Sequence, residues 1–428
     1  MCYYQLFFNE NDCKLIILDI LYTLPYQIEI GFVKMNVFLK RVFGNRGVLM
    51  TNPYHYNEKF KKQYSYNRAV NEAEKIVGYP TSFLSLRWLL NDEVANVALH
   101  MRKLIGTNHP LLNTAKELIL NKQTPAWGLI VLLISKAGGL SREFSHVECD
   151  ITAGILHSQR ILAEITEMVR TSNIIHKSIL NISSNDKDID DLNFGNKLSL
   201  LTGDYLLSSS FKELAELKCH DVNELISTCL RDLVEADFIE PRDSQNRPIP
   251  SPPLKEHKEV VVPNLFDDEV LTISEVLGNA KAEWTLRHLL DGASLLAKCC
   301  QGTLILADHP KSFQKLGYLF GRNMALGWQA RADLSAFNPL RTTEPFSLIC
   351  APLMFHLQDN QEYYPKLLKM VEENDIDYRE LRNVIRTGHG LEKTDEMLKE
   401  LSETALKVLE EFPENSSRDA LVNIINSA

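Results

Sequence analysis

The sequence predicts an all-α protein, and three observations support that prediction. The 428 residues include only 19 Gly and 17 Pro, about 8% together, where an average chain has about 12%. Apolar side chains recur every three or four residues in several long stretches, which is the spacing of one helix face. Alternating runs typical of strands are nearly absent, and the best one, at 254–263, is short. We therefore expect one large helical bundle.

The composition excludes several classes of protein. The chain has 56 acidic and 46 basic residues, a net charge of −10, which argues against nucleic acid or an anionic membrane as the main partner. In the most apolar stretch, 127–139, Lys136 follows nine apolar or small residues, and a membrane span needs about 20. We therefore expect no transmembrane segment. The eight cysteines form no C-x-x-C pair, which indicates reduced thiols of an intracellular protein.

The N-terminal region has the composition of a targeting segment. No Asp or Glu occurs at 31–57, while four Lys or Arg do, and from Met35 the segment is basic and amphipathic. A mitochondrial presequence has this composition. We therefore interpret Met35 as the true start of translation and 1–34 as an extension upstream of it. Residues 35–75 are interpreted as a mitochondrial presequence and linker, which would direct the protein to the mitochondrial matrix. A basic terminus without a targeting role is the alternative.

Helical spacing continues through the rest of the chain. A further helix is expected at Ser416, because the residues from there to Asp419 match a capping box. Four stretches show the spacing most clearly: 85–105, 152–180, 280–306 and 391–412.

Two polar segments interrupt this pattern. The shorter lies at 183–191, and the longer, at 237–266, contains six prolines. Both are expected to be loops, the longer one a loop or disordered insert. The stretches on either side of the longer segment have the same helical spacing of apolar residues, so we expect a single helical domain at 76–428.

Common catalytic motifs are missing from the sequence. It contains no G-x-x-x-x-G-K-[ST] loop, no dinucleotide-binding glycine motif, no H-E-x-x-H and no G-x-S-x-G. The twelve histidines are dispersed. The residues alone therefore predict no more than a soluble all-helical domain.

Five stretches, read in order, resemble the trans-prenyl diphosphate synthases from about Val77 to the C-terminus. Among the clearest is FGNKLSLLTGDYLL, which is similar to that family's F-G…A-L-L-A-G-D-F-L-L helix. The resemblance implies the isoprenoid synthase fold, a single large antiparallel helical bundle. Within the family, the chain looks like the non-catalytic subunits of two-subunit enzymes. The stretches are 164–180, 194–207, 282–300, 320–337 and 405–425.

The family's first aspartate-rich motif is degenerate in this sequence. Two D-D-x-x-D motifs hold the Mg²⁺ ions that neutralise a departing diphosphate, and on a helix their outer carboxylates share one face. The first motif falls on Lys177, Ser178 and Asn181. One ammonium and two neutral groups thus take the place of three carboxylates.

The second motif and the phosphate-binding cations are changed as well. The motif falls on Ala332, Asp333 and Ala336, which keeps one carboxylate. The family's Lys-Thr pair falls on Asp291 and Gly292, which reverses a charge. Its G-K-R-x-R-P motif falls at 106–110, without Lys or Arg. We therefore expect no catalytic residue and no metal ligand in this chain.

Four family positions are retained, at His176, Gly203, Asp204 and Gln329. Gly203 is expected to permit close helix packing, and Asp204 to act as a structural hydrogen-bonding group. The resemblance implies a heteromeric polyprenyl diphosphate synthase for the side chain of ubiquinone. This chain would stabilise a catalytic subunit that binds Mg²⁺, in a 2:2 assembly, through the helices at 164–180 and 194–207. The prenyl chain is a further candidate ligand. The alternative is a stand-alone isoprenoid-binding or scaffold protein.

Overall fold

A computed structural model describes residues 53–78, 109–111, 114, 126–141, 151–184, 188–254, 262, 266, 273–338 and 344–427. The chain divides into two units between Phe60 and Lys61. Three predicted features lie outside the described residues: the helix at 85–105, most of the strand-like run at 254–263, and the presequence up to residue 52.

The described part of the chain is helical apart from loops and one short hairpin. The helices are α1 (Pro53–Val77), α2 (Trp127–Gly138), α3 (His157–His176), α4 (Ile189–Glu216), α5 (His220–Ala236), α6 (Ile273–Val276), α7 (Ala280–His288), α8 (Ser294–Leu306), α9 (Lys311–Ser335), α10 (Ala351–Asp359), α11 (Tyr364–Glu372), α12 (Tyr378–Thr387), α13 (Gly390–Glu410) and α14 (Ser416–Ser427). A π-helical turn (Leu289–Ala293) joins α7 to α8, and a 3₁₀ turn (Gln361–Tyr363) precedes α11.

The core surrounds α8, which packs against α2, α3, α5 and α9. Helix α2 is apolar on all sides up to Ser135 and Lys136 near its end, and its residues from Leu129 to Ile134 are fully buried, as expected for a helix without a polar face. The predicted helical run Ala280–Leu306 is long and apolar enough to span a membrane, but 72% of its apolar window is buried inside the protein. Cys299 and Cys300 are buried in the same core.

Helix α1 extends the core beyond the boundary predicted at residue 76. Its side chains Tyr66, Ala69, Ala73 and Val77 are buried in the main cluster. The last part of the predicted linker is therefore a packed helix, whereas the presequence stays a prediction.

The helix predicted from residue 152 begins later, at His157. Ile151–Thr152 and Ile155–Leu156 form an antiparallel hairpin, and its turn residues, Ala153 and Gly154, both have positive φ. This conformation matches the right-handed twist of paired strands. The apolar residues of the hairpin happen to continue the helical spacing, so the periodicity alone could not separate the two elements.

Two other helix starts differ in detail from the prediction. Helix α14 begins at Ser416 as predicted, but its cap is Asn415, whose Oδ1 accepts from the backbone N–H groups of Ser417 and Arg418 at 3.1 and 3.0 Å. The predicted capping box is therefore wrong by one residue. Helix α4 begins at Ile189, inside the predicted loop, with Asp190 and Asp191 in its first turn. Acidic side chains stabilise this end of a helix.

Candidate functional site

A cavity of about 640 Å³ opens where α3 ends, and it contains several of the predicted site positions. Helices α3, α4 and α5 form one side, and the segment 237–248, the π-helical turn and α9 form the other. The predicted site residues that line it are His176, Lys177, Asn181, Asp291 and Gln329.

Lys177 forms an ion pair with Asp291 at the mouth of this cavity. The two side chains are 36% and 38% exposed. Burial lowers the pKa of Lys177 to about 8, while Asp237 raises it and Arg242 lowers it further. The ammonium therefore keeps its charge at neutral pH. Lys177 falls on a position where the family has aspartate, and Asp291 falls on a position where the family has lysine. Both positions therefore carry the opposite charge to the family pattern, and the two side chains pair with each other.

The other two first-motif positions are also engaged within the chain. Ser178 is buried, and its hydroxyl donates to the Ile175 carbonyl at 2.6 Å and pairs with the Ser199 hydroxyl at 2.9 Å. Asn181 donates from Nδ2 to the Ser244 carbonyl at 2.9 Å. Its backbone N–H donates to Gln245 Oε1 at 3.1 Å, and its carbonyl accepts from Gln245 Nε2 at 3.0 Å.

The shared helix face assumed for this motif does not exist in the structure. Helix α3 ends at His176, and Lys177 is its C-terminal cap. A cation at this position stabilises the negative end of the helix dipole. The positions at 177, 178 and 181 therefore follow the helix, and their side chains take separate directions.

The carboxylate that survives in the second motif is buried in the protein. Asp333 is 4% exposed. Its Oδ2 accepts from Trp284 Nε1 at 2.8 Å and from the Ala351 N–H at the start of α10 at 2.9 Å. Its Oδ1 accepts from Gln329 Nε2 at 2.8 Å. Burial raises the pKa of Asp333 to about 6, although these hydrogen bonds lower it. The carboxylate thus joins α7, α9 and α10.

The flanking positions of the second motif carry no polar side chain. Ala332 is exposed on α9, and Ala336 caps the end of that helix. The Ala336 carbonyl accepts from Arg382 Nε at 3.1 Å. This end of α9 is therefore tied to α12 by a buried arginine.

Two retained positions form a tight contact between α3 and α4. A Cβ at Gly203 would clash with the imidazole of His176, so glycine at this position leaves room for that ring between the two helices. The Gly203 carbonyl accepts from the Ser172 hydroxyl at 2.8 Å, and Asp204 Oδ1 lies 3.2 Å from His176 Nε2. The geometry is consistent with the structural roles expected for Gly203 and Asp204.

Asp291 and Gly292 lie in the π-helical turn between α7 and α8. Asn173 Nδ2 donates to the Asp291 carbonyl at 3.4 Å, which connects this turn to α3. Of the predicted phosphate-binding stretch at 106–110, the residues up to 108 lie outside the described part. His109 is buried against α4, with Nε2 3.1 Å from Asn196 Oδ1.

Sequence reasoning missed a buried clamp that holds the proline-rich segment over the cavity. Glu283 accepts from Arg287 Nε at 2.8 Å and from the Ser251 hydroxyl at 2.9 Å. Arg287 also donates to the carbonyls of Ile239 and Glu240 at 3.1 and 2.9 Å. We name residues 237–251 the strap. The strap, which is part of the loop predicted at 237–266, is therefore ordered and packed. The i, i+4 spacing of Glu283 and Arg287 is the sequence signal that could have indicated this ion pair.

The described first-motif residues do not fit a magnesium ion. Mg²⁺ prefers carboxylate and water oxygens in octahedral geometry, whereas Lys177 supplies an ammonium and Ser178 is buried away from the cavity. Within the described ranges, no group of three His, Cys, Asp or Glu side chains is placed to hold a metal. No metal-dependent step is therefore derived for this chain.

Known proteins with related sequences are prenyl diphosphate synthases, although no family model matches. The mouse and human proteins named "All trans-polyprenyl-diphosphate synthase PDSS2" are each 36% identical to this chain over 370 residues, 84% of this chain and 86% of theirs. A Neurospora crassa protein named "Probable hexaprenyl pyrophosphate synthase, mitochondrial" is 27% identical over 410 residues, 84% of each chain.

Solved structures of prenyl synthases share the fold. The polyprenyl synthase from Caulobacter crescentus, complexed with calcium and isoprenyl diphosphate, has a TM-score of 0.51 at 15% identity, over 81% of this chain and 96% of that one. The geranylgeranyl pyrophosphate synthase from Lactobacillus brevis has a TM-score of 0.52 at 13% identity, over 80% and 97%. The predicted all-α isoprenoid synthase fold is confirmed.

Proposed function

Since the chain belongs to the polyprenyl-diphosphate synthase family, we propose that it is the non-catalytic subunit of a heteromeric trans-polyprenyl diphosphate synthase. The product of this synthase would be the isoprenoid side chain of ubiquinone. A catalytic subunit with both aspartate-rich motifs would bind Mg²⁺, and this chain would stabilise it in a 2:2 heterotetramer. Relatives named as mitochondrial synthases support a mitochondrial location, and we place the complex in the matrix.

The ion pair between Lys177 and Asp291 carries this proposal. An allylic diphosphate needs cations around its oxygens and metal ions that neutralise the developing charge. At this position the chain instead has a cation and a carboxylate that neutralise each other. The surviving acid, Asp333, makes three hydrogen bonds inside the protein. Both features support a structural role.

Helix α4 offers a surface for the catalytic subunit. It is 28 residues long, and Leu200 and Leu201 near its middle are 48% and 55% exposed. Asp204 lies one turn further along and is also exposed. Neighbouring apolar side chains that are exposed to water can mark a surface that binds another protein. We propose that α4, with the end of α3, contacts the catalytic subunit.

Co-purification with the organism's D-D-x-x-D-bearing homologue tests this function. We expect the two chains to purify together, and Mg²⁺-dependent incorporation of isopentenyl diphosphate to appear only in the mixture. Full activity of this chain alone would contradict the proposal.

A charge placed on α4 tests the surface itself. Leu201→Arg should reduce co-purification about tenfold or more, because it places a charge in a desolvated interface. Ile151→Arg is the matched control, since Ile151 is 43% exposed in the distant hairpin. Equal effects of both variants would show that α4 is not the contact.

The second candidate function is a stand-alone isoprenoid-binding or scaffold protein. The observation that favours it is the cavity of about 640 Å³, which persists without the family's ligands. Two stable chains that fail to co-purify would support this candidate.

A further inference from the structure

One wall of the cavity is apolar and continues to the surface. Its inner part includes Val169 and Leu233, which are 1% and 6% exposed. At the mouth, Ile179, Phe211 and Val234 are 38%, 45% and 58% exposed. Large apolar side chains around an opening are unusual on a protein surface and mark a binding site. The wall could therefore contact an apolar chain from the interior to the mouth.

The polar wall of the cavity, which includes the end of α3, contains four cationic side chains, and each has a carboxylate partner. Arg242 lies 3.4 Å from Asp237, and Arg247 lies 2.8 Å from Asp243. The other two are Arg287, paired with Glu283 at 2.8 Å, and Lys177, paired with Asp291. Burial lowers the pKa of His288 to about 3, so its imidazole is neutral. Among the described groups, the charges of this wall therefore cancel.

The same wall has unused hydrogen-bonding capacity. Two of its buried nitrogen atoms, Arg242 Nε and His288 Nε2, have no hydrogen-bond partner, and a buried polar group without a partner costs free energy. The Arg242 side chain is 7% exposed. A nitrogen of a neutral imidazole can accept a hydrogen bond, and among the described residues no group is bonded to His288 Nε2. A hydroxyl group can accept from the first nitrogen or donate to the second.

We propose that this cavity binds an uncharged isoprenoid with a hydroxyl head group, and that it does so without metal. An apolar wall matches the chain, and a charge-neutral wall with one spare donor and one spare acceptor matches the head. A diphosphate would bring several negative charges to a wall whose cations are already paired. The volume, about 640 Å³, is in the range of pockets that enclose small ligands. This inference rests on the proposed function in one respect, because both require that this site holds no Mg²⁺.

Equilibrium dialysis of the purified full chain with radiolabelled farnesol and farnesyl diphosphate tests this specificity. Each ligand is measured with Mg²⁺ and with a chelator. We expect saturable binding of farnesol that is unchanged by Mg²⁺, and binding of the diphosphate that is about tenfold weaker. Tighter binding of the diphosphate than of farnesol, or no saturable binding of farnesol, would overturn the proposal.

Variants show whether farnesol binds in this cavity. Leu207→Trp places a larger side chain in the lining and should weaken farnesol binding about tenfold. Phe211→Asp places a charge at the mouth, on an exposed position that is not needed for folding, and should weaken it as well. Ile151→Trp is the control for an added indole outside the cavity. Circular dichroism of each variant verifies the fold. Unchanged binding in a folded Leu207→Trp or Phe211→Asp variant would place the ligand elsewhere.

The two proposals fail separately. A chain that co-purifies with the catalytic subunit but does not bind farnesol overturns only the lipid site. A chain that binds farnesol but does not pair overturns only the subunit role.

Discussion

The end of α3 and the end of α9 occupy equivalent places in the family pattern, yet they differ in how their residues are used. At the end of α3, Lys177 and Asn181 are partly exposed, and they contact the π-helical turn and the strap, respectively. At the end of α9, Asp333 is buried and joins three helices. The first region closes a cavity, whereas the second stabilises the core.

A degenerate motif can therefore keep a structural role. At the end of α3, Lys177 replaces a family carboxylate and Asp291 replaces a family lysine, so the two side chains together form a neutral pair. The second keeps a carboxylate but directs it at a backbone N–H and an indole N–H. The number of acidic residues that remain in the motifs could not distinguish these outcomes. A single remaining acid is compatible with a partly exposed ion pair and with a buried, hydrogen-bonded carboxylate.

The largest expected effect is on Asp333. Asp333→Ala should lower the free energy of unfolding by about 3 kcal/mol, because it leaves the buried donors of Trp284 and Ala351 without a partner. Urea denaturation measures the change. Asp333→Asn is the matched control: its side-chain oxygen can still accept, so it should cost clearly less. Equal small losses in both variants would show that the core does not depend on this carboxylate.

The pH dependence of stability sharpens the same point. In the folded protein the pKa of Asp333 is raised to about 6 from 3.8, so the folded state binds more protons than the unfolded state between these values. Stability from this group therefore falls as the pH rises from about 4 to about 6. The free energy of unfolding of the natural protein, minus that of Asp333→Asn, should fall over this range and level off above it. A difference that rises with pH would contradict the burial argument.

A smaller effect is expected at the ion pair. Lys177→Ala should cost only about 0.5 kcal/mol, because more than a third of each side chain is exposed and water screens the pair. Lys177→Asp should cost more, since it adds a carboxylate beside Asp291 and Asp237. Combining it with Asp291→Lys should restore most of the loss. Additive effects in this double-mutant cycle would show that the two side chains do not interact.

The smallest effect on global stability is expected at the strap. Asn181→Ala removes the side-chain hydrogen bond to the Ser244 carbonyl and should change the free energy of unfolding by less than about 0.5 kcal/mol. Amide hydrogen exchange at 242–248 should nevertheless become faster, because the strap opens locally. Ser208→Ala, on an exposed face of α4, is the control. Faster exchange throughout the chain, instead of in the strap, would contradict a local role.

The long periodic helices could be predicted from the sequence, and the contacts of the site could not. Helix α13 (Gly390–Glu410) and the apolar α2 follow from their spacing and composition. The hairpin before α3 was missed, because two strands of two residues carry no periodic signal.

The site residues could be located but not paired. The sequence indicated that Lys177 and Asp291 replace groups of opposite charge, but only the fold brings residues 114 positions apart into one ion pair. Their closeness depends on the π-helical turn at Leu289–Ala293, which no sequence pattern announced. Likewise, the proline content of the strap indicated a loop, while its clamp by Arg287 and Glu283 needs the tertiary structure.

Calorimetric titration of the full chain with Mg²⁺ alone shows whether this chain contains a working metal site. We expect no saturable Mg²⁺ binding below about 1 mM, because the first-motif positions offer an ammonium paired with a carboxylate and Asp333 is enclosed in the core. Stoichiometric Mg²⁺ binding at micromolar concentration, lost in Asp291→Asn, would contradict it and would identify a working metal site in this chain.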